Sequence, residues 1–245
     1  MTVTVDEDRF RILGDLMTDT RLDAVAARRP LRPVPAHLMP ALDDEGPITE
    51  LPEPAAPRAA VDDVLFGRTA VRDYEPTPIT AAEVAAIFAA AEAMDAQAWP
   101  GERDAGLGLE LFCAAWRVTG VDTGLYRYLP GRNALRRVAN LPAGPEAAEL
   151  VMQSEFAQAA ALLLITGNLA GAVERHGSHG HRLLLSRAGA AGHAAWLAAL
   201  RLHLAGSVFA GLLPHVLRER AAADGYHRAP LLAFAAAHPA ADLAV

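Results

Sequence analysis

Apolar and polar positions along this chain recur with two different periods, and the changes of period divide it into elements. Over residues 5–28 the apolar positions Phe10, Ile12, Leu13, Leu16 and Met17 fall at loose helical spacing, which predicts one helix. The pattern then breaks, because eight of the 17 prolines lie between Pro30 and Pro57. A segment so rich in proline cannot be one helix or a central strand and must run extended over a surface. It is either a plain linker or an arm that wraps a partner subunit. The chain therefore divides into residues 1–58, a helix followed by a proline-rich arm, and residues 59–245, the main domain.

Within that domain, residues 61–68 predict a short helix. A second begins at Thr80, where Glu83 completes a Thr-x-x-Glu capping box. LELFCAAWRVTG at 109–120 and GLYRY at 124–128 are strand patterns, and Pro130-Gly131-Arg132-Asn133 turns the chain into a further strand at 134–138. Residues 145–158 predict a helix, and the apolar run AALLLIT at 160–166 a buried strand. A long helix over 183–204, a strand at 207–212, a helix at 215–224 and a strand at 231–236 complete the chain. Helices and strands mix without a regular βαβ beat, which predicts an α+β fold with a mostly antiparallel sheet flanked by helices.

Composition narrows the function classes. Hydrophobic residues make up 52% of the 245, much of that alanine, which fits a globular, helix-rich protein. The formal net charge of -7 supplies no basic footprint for nucleic acid. The N-terminus MTVTVDEDRF is acidic where a signal peptide would be basic. The apolar stretch 188–213 is interrupted by His193, Arg201 and His203, so it reads as buried structure rather than a membrane span. The single cysteine, Cys113, can form no internal disulfide and sits in an apolar run as an inert core thiol. A cytoplasmic protein is expected.

Two clusters carry candidate chemistry. Arg68 and Arg72, four apart in RTAVRDYEPTPITAAEV, offer two planar guanidinium forks suited to a phosphate, although pairing with Asp73 or Glu75 would account for them equally. RHGSHGHR at 175–182 brings three of the nine histidines together. Their spacing gives no helical i, i+4 metal-ligand face, so no metal site is expected. The segment reads as a polar loop in which His176 could serve as a proton-transfer group. No G-x-S-x-G elbow, Walker A loop or G-x-G-x-x-G fingerprint after a strand is present.

In this order the segments resemble the nitroreductase superfamily, and within it the azoline-oxidising dehydrogenases (SagB/McbC type) of thiazole/oxazole-modified peptide biosynthesis. The matching stretches are RTAVRDYEPTPITAAEV at 68–84, GLYRYLPGRNALRRV at 124–138, AALLLIT at 160–166 and RHGSHGHRLLLSRAGAAGHAAWLAALRLHLAG at 175–206. The resemblance implies an FMN-binding fold, normally a dimer with each flavin at the subunit interface. It assigns Arg68, Thr69, Arg72, His193 and Gly211 to cofactor binding, and it sets Arg175 and His176 where some members carry a Lys-Tyr pair that assists proton removal. Arginine is too weak an acid to lose its proton and act as a base, which leaves His176 as the acceptor.

This sequence also departs from the family pattern. Ala70 replaces the serine of the arginine motif, and Glu102 replaces the serine of the second flavin loop, here GERDAGLG at 101–108. Arg187, Ala190, His193 and Ala194 replace the family's Glu, His, Gln and Asn on the long helix. The implied activity is oxidation of a peptide-borne azoline to its azole. The alternatives are an inactive subunit that binds a related protein or a peptide, and a different nitroreductase-type reduction of a small molecule.

Overall fold

The computed structural model describes residues 5–41, 45–141 and 149–240. Its centre is a seven-stranded sheet: β1 (Ile48–Glu50), β3 (Glu110–Ala115), β5 (Gly124–Leu129), β6 (Ala134–Ala139), β7 (Ala161–Gly167), β8 (Ala205–Phe209) and β9 (Ala229–Ala237). The strands lie in the order β1-β6-β5-β3-β7-β9-β8, and every neighbouring pair is antiparallel. A short parallel pair, β2 (Ile79–Thr80) with β4 (Val118–Thr119), stands apart. The expected α+β class with an antiparallel sheet holds.

The central strand β7 is buried along its whole length, as is β3 after its first residue, which is why their sequences are continuous apolar runs rather than alternating ones. The helices are α1 (Val5–Asp19), α2 (Val61–Gly67), α3 (Ala81–Ala98), α4 (Pro100–Asp104), α5 (Leu169–His176), α6 (Gly180–Arg201) and α7 (Pro214–Ala221). Of these, α3 and α6 pack on each other, and α6 also packs on β7, β8 and β9. The buried face of α6 comprises Leu184, Arg187, Ala188, Ala191, Gly192, Ala195, Trp196 and Ala199, a repeat of three and four residues. At Gly192 an added Cβ would lie 2.8 Å from Leu232 Cδ2, so the glycine lets α6 settle onto β9.

The helix α3 starts as its sequence predicts. Thr80 Oγ1 accepts from the Glu83 N–H at 3.2 Å, and Glu83 Oε2 accepts from the Thr80 N–H at 2.8 Å. Glu83 also receives Arg58 at 3.1 Å, which ties the end of the proline-rich segment to this cap.

Several elements differ from expectation for identifiable reasons. The first helix ends at Asp19 rather than running to 28, with Thr20 Oγ1 turned back to the Leu16 carbonyl at 2.6 Å. The strand expected over 109–120 is split into β3 and β4. The helix expected over 145–158 is a 3₁₀ turn at Ser154–Gln158, and residues 145–148 of it lie outside the described residues. RHGSHGHR is not a loop. It comprises the last turn of α5, a 3₁₀ turn at Gly177–His179 and the first turn of α6. Gly177 takes φ 68°, and at Gly180 a Cβ would fall 2.1 Å from the Ala172 carbonyl oxygen, so two glycines permit this tight helix–helix corner.

The proline-rich segment lies along its own chain. Arg32 N–H donates to the Arg175 carbonyl, Asn168 Nδ2 to the Leu38 carbonyl and Arg228 Nη2 to the Ala41 carbonyl. It then enters the sheet as the edge strand β1 against β6.

Beneath α6, Arg187 is 1% exposed. It donates to both carboxylate oxygens of Asp95 on α3, at 2.8 and 2.9 Å, and to the Leu107 carbonyl at 2.7 Å. Asp95 Oδ2 also accepts from the Leu109 N–H at 3.0 Å. Removing one partner of a buried pair strands the other, so Arg187→Ala should cost about 3–5 kcal/mol, against about 1 kcal/mol for loss of the α3 cap in Thr80→Ala. Urea denaturation of the two variants checks this ordering.

Candidate functional site

The chain leaves α2 at Arg68 and runs along the outer edge of the sheet. Val71 N–H donates to the Gly206 carbonyl on β8, Tyr74 Oη to the Val71 carbonyl at 2.9 Å, and Glu75 N–H to the His238 carbonyl. These bonds fix a loop that carries both predicted arginines. The Arg68 guanidinium lies 4.3 Å from the ring centroid of Trp196 on α6. The Arg72 guanidinium lies 5.7 Å from Phe156, which stacks on Phe209 at the end of β8 with centroids 3.9 Å apart. Each cation rests on an aromatic face that orients it without neutralising it. Glu155 lies 3.9 Å from Arg72, and both side chains are substantially exposed, so their pairing is weak.

Thr69, next in the loop, lines a cavity of about 410 Å³ together with Val64, Gly67, Leu200, His203 and Ala205. His193 is exposed on α6, one turn before Trp196. Gly211 follows β8, and its carbonyl accepts from the Met152 N–H at 2.8 Å. All five residues assigned to cofactor binding thus lie around β8 and the C-terminal half of α6. Trp196 adds a buried indole N–H with no hydrogen-bond acceptor among the described residues.

The assigned proton-transfer pair lies elsewhere. Arg175 and His176 end α5, and both reach Glu102 on α4: Arg175 Nε to Oε1 at 3.1 Å and His176 Nε2 to Oε2 at 2.9 Å. Sixteen residues of α6 separate Gly180, at this corner, from Trp196, or about 24 Å at 1.5 Å per residue. One chain does not bring His176 to Arg68. His179 and Arg182 turn instead to α1, with Arg182 Nε donating to Thr20 Oγ1 at 2.7 Å. Among the described residues no group of three His, Cys, Asp or Glu side chains could hold a metal ion.

Sequence reasoning did not find Glu102, Trp196 or Phe156 as members of these clusters. Glu102 was visible only as a lost serine, because its partners are more than 70 residues away. The sequence reading singled out neither aromatic. Arg187, counted among the site's departures, points inward to Asp95 and does not border the loop.

No family model matches the chain. A protein from Methanocaldococcus jannaschii named as a nitroreductase is 30% identical over 170 residues, covering 68% of this chain and 85% of its own. The chain belongs to the nitroreductase superfamily. Among solved structures it is similar in fold to a nitroreductase of Anabaena variabilis, with a TM-score of 0.73 and 20% identity over 94% of this chain. It spans about half, 47%, of that protein's length. A Ralstonia eutropha nitroreductase matches with a TM-score of 0.63 and 20% identity over 87% of this chain and all of its own. A chain of the E. coli microcin synthetase McbBCD complex, solved with truncated pro-MccB17 bound, matches with a TM-score of 0.56 and 17% identity over 96% of this chain and 95% of its own. At 17% identity that likeness is one of fold. No described helix is long and apolar enough to cross a membrane.

Burial alone would raise the Glu102 carboxyl, but hydrogen bonds from His176 and Arg175, with the charges of both, outweigh it and hold the group below its ordinary value. A carboxyl held low stabilises the fold fully above its unfolded value, about 4.3, and loses that contribution as pH falls through the folded value. The stability of wild type should therefore drop on acidification by an increment that Glu102→Gln lacks, with the two curves converging at low pH. Urea midpoints measured as a function of pH test this.

Proposed function

We propose that the chain is an FMN-dependent oxidoreductase that oxidises a peptide-borne azoline or similar group to its azole. The observation that carries this reading is the pair of guanidinium groups, Arg68 on Trp196 and Arg72 on Phe156, beside the Thr69-lined cavity. Flavin mononucleotide joins an anionic phosphate to an apolar ring system, and the local chemistry suits both parts. Two exposed arginines without a strong internal partner can take the phosphate, an apolar cavity can take the ring, and the unpaired Trp196 N–H can donate to a ligand oxygen or nitrogen. When bound, FMN supplies the hydride acceptor. The microcin synthetase likeness supports a peptide-borne substrate.

His176 is assigned to take the substrate proton, and a second subunit is needed to bring it to the arginines. The strip of α6 facing away from the core includes the exposed Leu185, Ser186, Gly189 and His193, and nothing lies within 4 Å of a Cβ built at Gly189. Two such helices crossing antiparallel near Gly189 would set the His176 end of one copy against the Arg68 end of the other. We therefore infer a dimer, of two copies or of this chain with a related subunit.

Purified protein should carry FMN, or take it up, with a flavin absorbance band near one per chain. Colourless protein that binds no added FMN would overturn the proposal and favour a binding subunit without turnover. Loss of a charged hydrogen bond costs about 1.5–3 kcal/mol, so Arg68→Ala and Arg72→Ala should each weaken FMN binding by about 10- to 100-fold in a fluorescence titration. Unchanged affinity in both would refute the phosphate assignment.

A further inference from the structure

Two departures from the family pattern that are 74 residues apart in sequence touch in space: Glu102 in the second flavin loop and His176 at the end of α5. We propose that they form one proton-transfer unit, in which Glu102 is a positioning residue that holds the His176 ring with its proton on Nε2 and leaves Nδ1 to accept the substrate proton. Arg175 holds the carboxylate in place and moves no proton. This assignment rests on the reading of the chain as an oxidoreductase and goes beyond it by naming the atom, the residue that sets its tautomer and the role of Arg175.

The geometry leaves little freedom. The Glu102 side chain is 8% exposed and that of His176 is 12% exposed, so neither can turn away to water without leaving the other unpaired. An ionised carboxylate only accepts hydrogen bonds, so the 2.9 Å contact requires a proton on Nε2. A neutral ring then has a bare Nδ1, and among the described residues that atom has no hydrogen-bond partner in the protein. The second Glu102 oxygen is taken by Arg175 Nε, and Arg175 is itself held by the carbonyls of Arg32 at 3.2 Å and Gly101 at 3.4 Å. Three segments thus converge to fix one carboxylate, and the carboxylate fixes one imidazole. His179, three residues on, is directed to the Thr20 carbonyl and does not compete for Glu102.

In the net conversion of an azoline to an azole the substrate loses one proton and one hydride. Bound FMN would supply the hydride acceptor, and the proton would go to His176 Nδ1 and from there to water. A purely structural Glu102 would hold the same tautomer but would not change the rate in a folded variant, so the rate separates the two roles.

The test uses the full-length protein labelled with ¹⁵N. Multiple-bond ¹H–¹⁵N correlation spectra above neutral pH, with His176 assigned by its loss in His176→Gln, should show a single tautomer with Nε2 protonated and Nδ1 bare. Glu102→Leu should mix the tautomers, whereas Arg175→Gln should not. A wild-type ring that is mixed or protonated on Nδ1, or a ring unchanged in Glu102→Leu, overturns the proposal. FMN-loaded protein is then mixed anaerobically with a thiazoline-bearing dipeptide, and bleaching of the flavin is followed. His176→Gln should slow it by about 10²- to 10⁴-fold, and Glu102→Gln by about 10- to 100-fold, with KM and FMN affinity unchanged. A wild-type rate in Glu102→Gln also overturns it. If that variant fails to fold, Glu102→Gln/Arg175→Gln removes both charges together, and its rate is read at a wild-type melting temperature. Protein that takes up no FMN defeats the proposed function alone, since the tautomer spectra still test whether Glu102 sets the proton on the His176 ring.

Discussion

One buried ion pair positions everything else. Asp95 on α3 and Arg187 on α6 meet in a two-pronged bond under the longest helix, and the Leu107 carbonyl and Leu109 amide close the set. A buried guanidinium is tolerable only when it is paired with a charge and hydrogen-bonded. That requirement fixes the rotation and the axial register of α6, which an alanine-rich apolar face would specify poorly by itself. Both charged clusters hang from this helix. Trp196, the platform for Arg68, lies near its C-terminal end, and the α5 corner that carries His176 abuts its first turn.

The two clusters handle charge in opposite ways. At the sheet edge the arginines are supported from beneath by aromatic rings and stay available to solvent, an arrangement suited to capturing an anion from outside. At the α5 corner the charges are taken up internally, with a buried glutamate shared between an arginine and a histidine. The first leaves its positive charge open to the outside. The second keeps an imidazole in one orientation.

Local sequence signals were legible where the physics is local. The Thr80–Glu83 box, the apolar run of β7 and the hairpin of β5 and β6 each depend on residues within a few positions of one another, and each appears as expected. The class of the fold followed from them. RHGSHGHR was misread because glycine and histidine are common in loops, whereas here the glycines serve a close helix–helix approach that composition does not encode. Glu102 and Arg187 escaped for a related reason. Their meaning lies in partners 73 to 92 residues away, and no local pattern announces such a pairing. The arginine motif was readable as a pair of cations, while its aromatic supports were not, since a tryptophan or phenylalanine on an apolar face looks the same whether or not a cation lies above it.

The proline-rich segment has a consequence for how the molecule is made. Its anchors include Arg175, Asn168 and Arg228, and the bond from Arg228 to the Ala41 carbonyl spans 187 residues. During synthesis these early residues emerge long before the surface on which they lie. Prolines suit that interval, because they keep the segment from forming helices or pairing as a strand with the wrong neighbour. The arm is translated well before β9, and its contact with Arg228, the residue just ahead of that strand, can form only after the strand's start has been delivered.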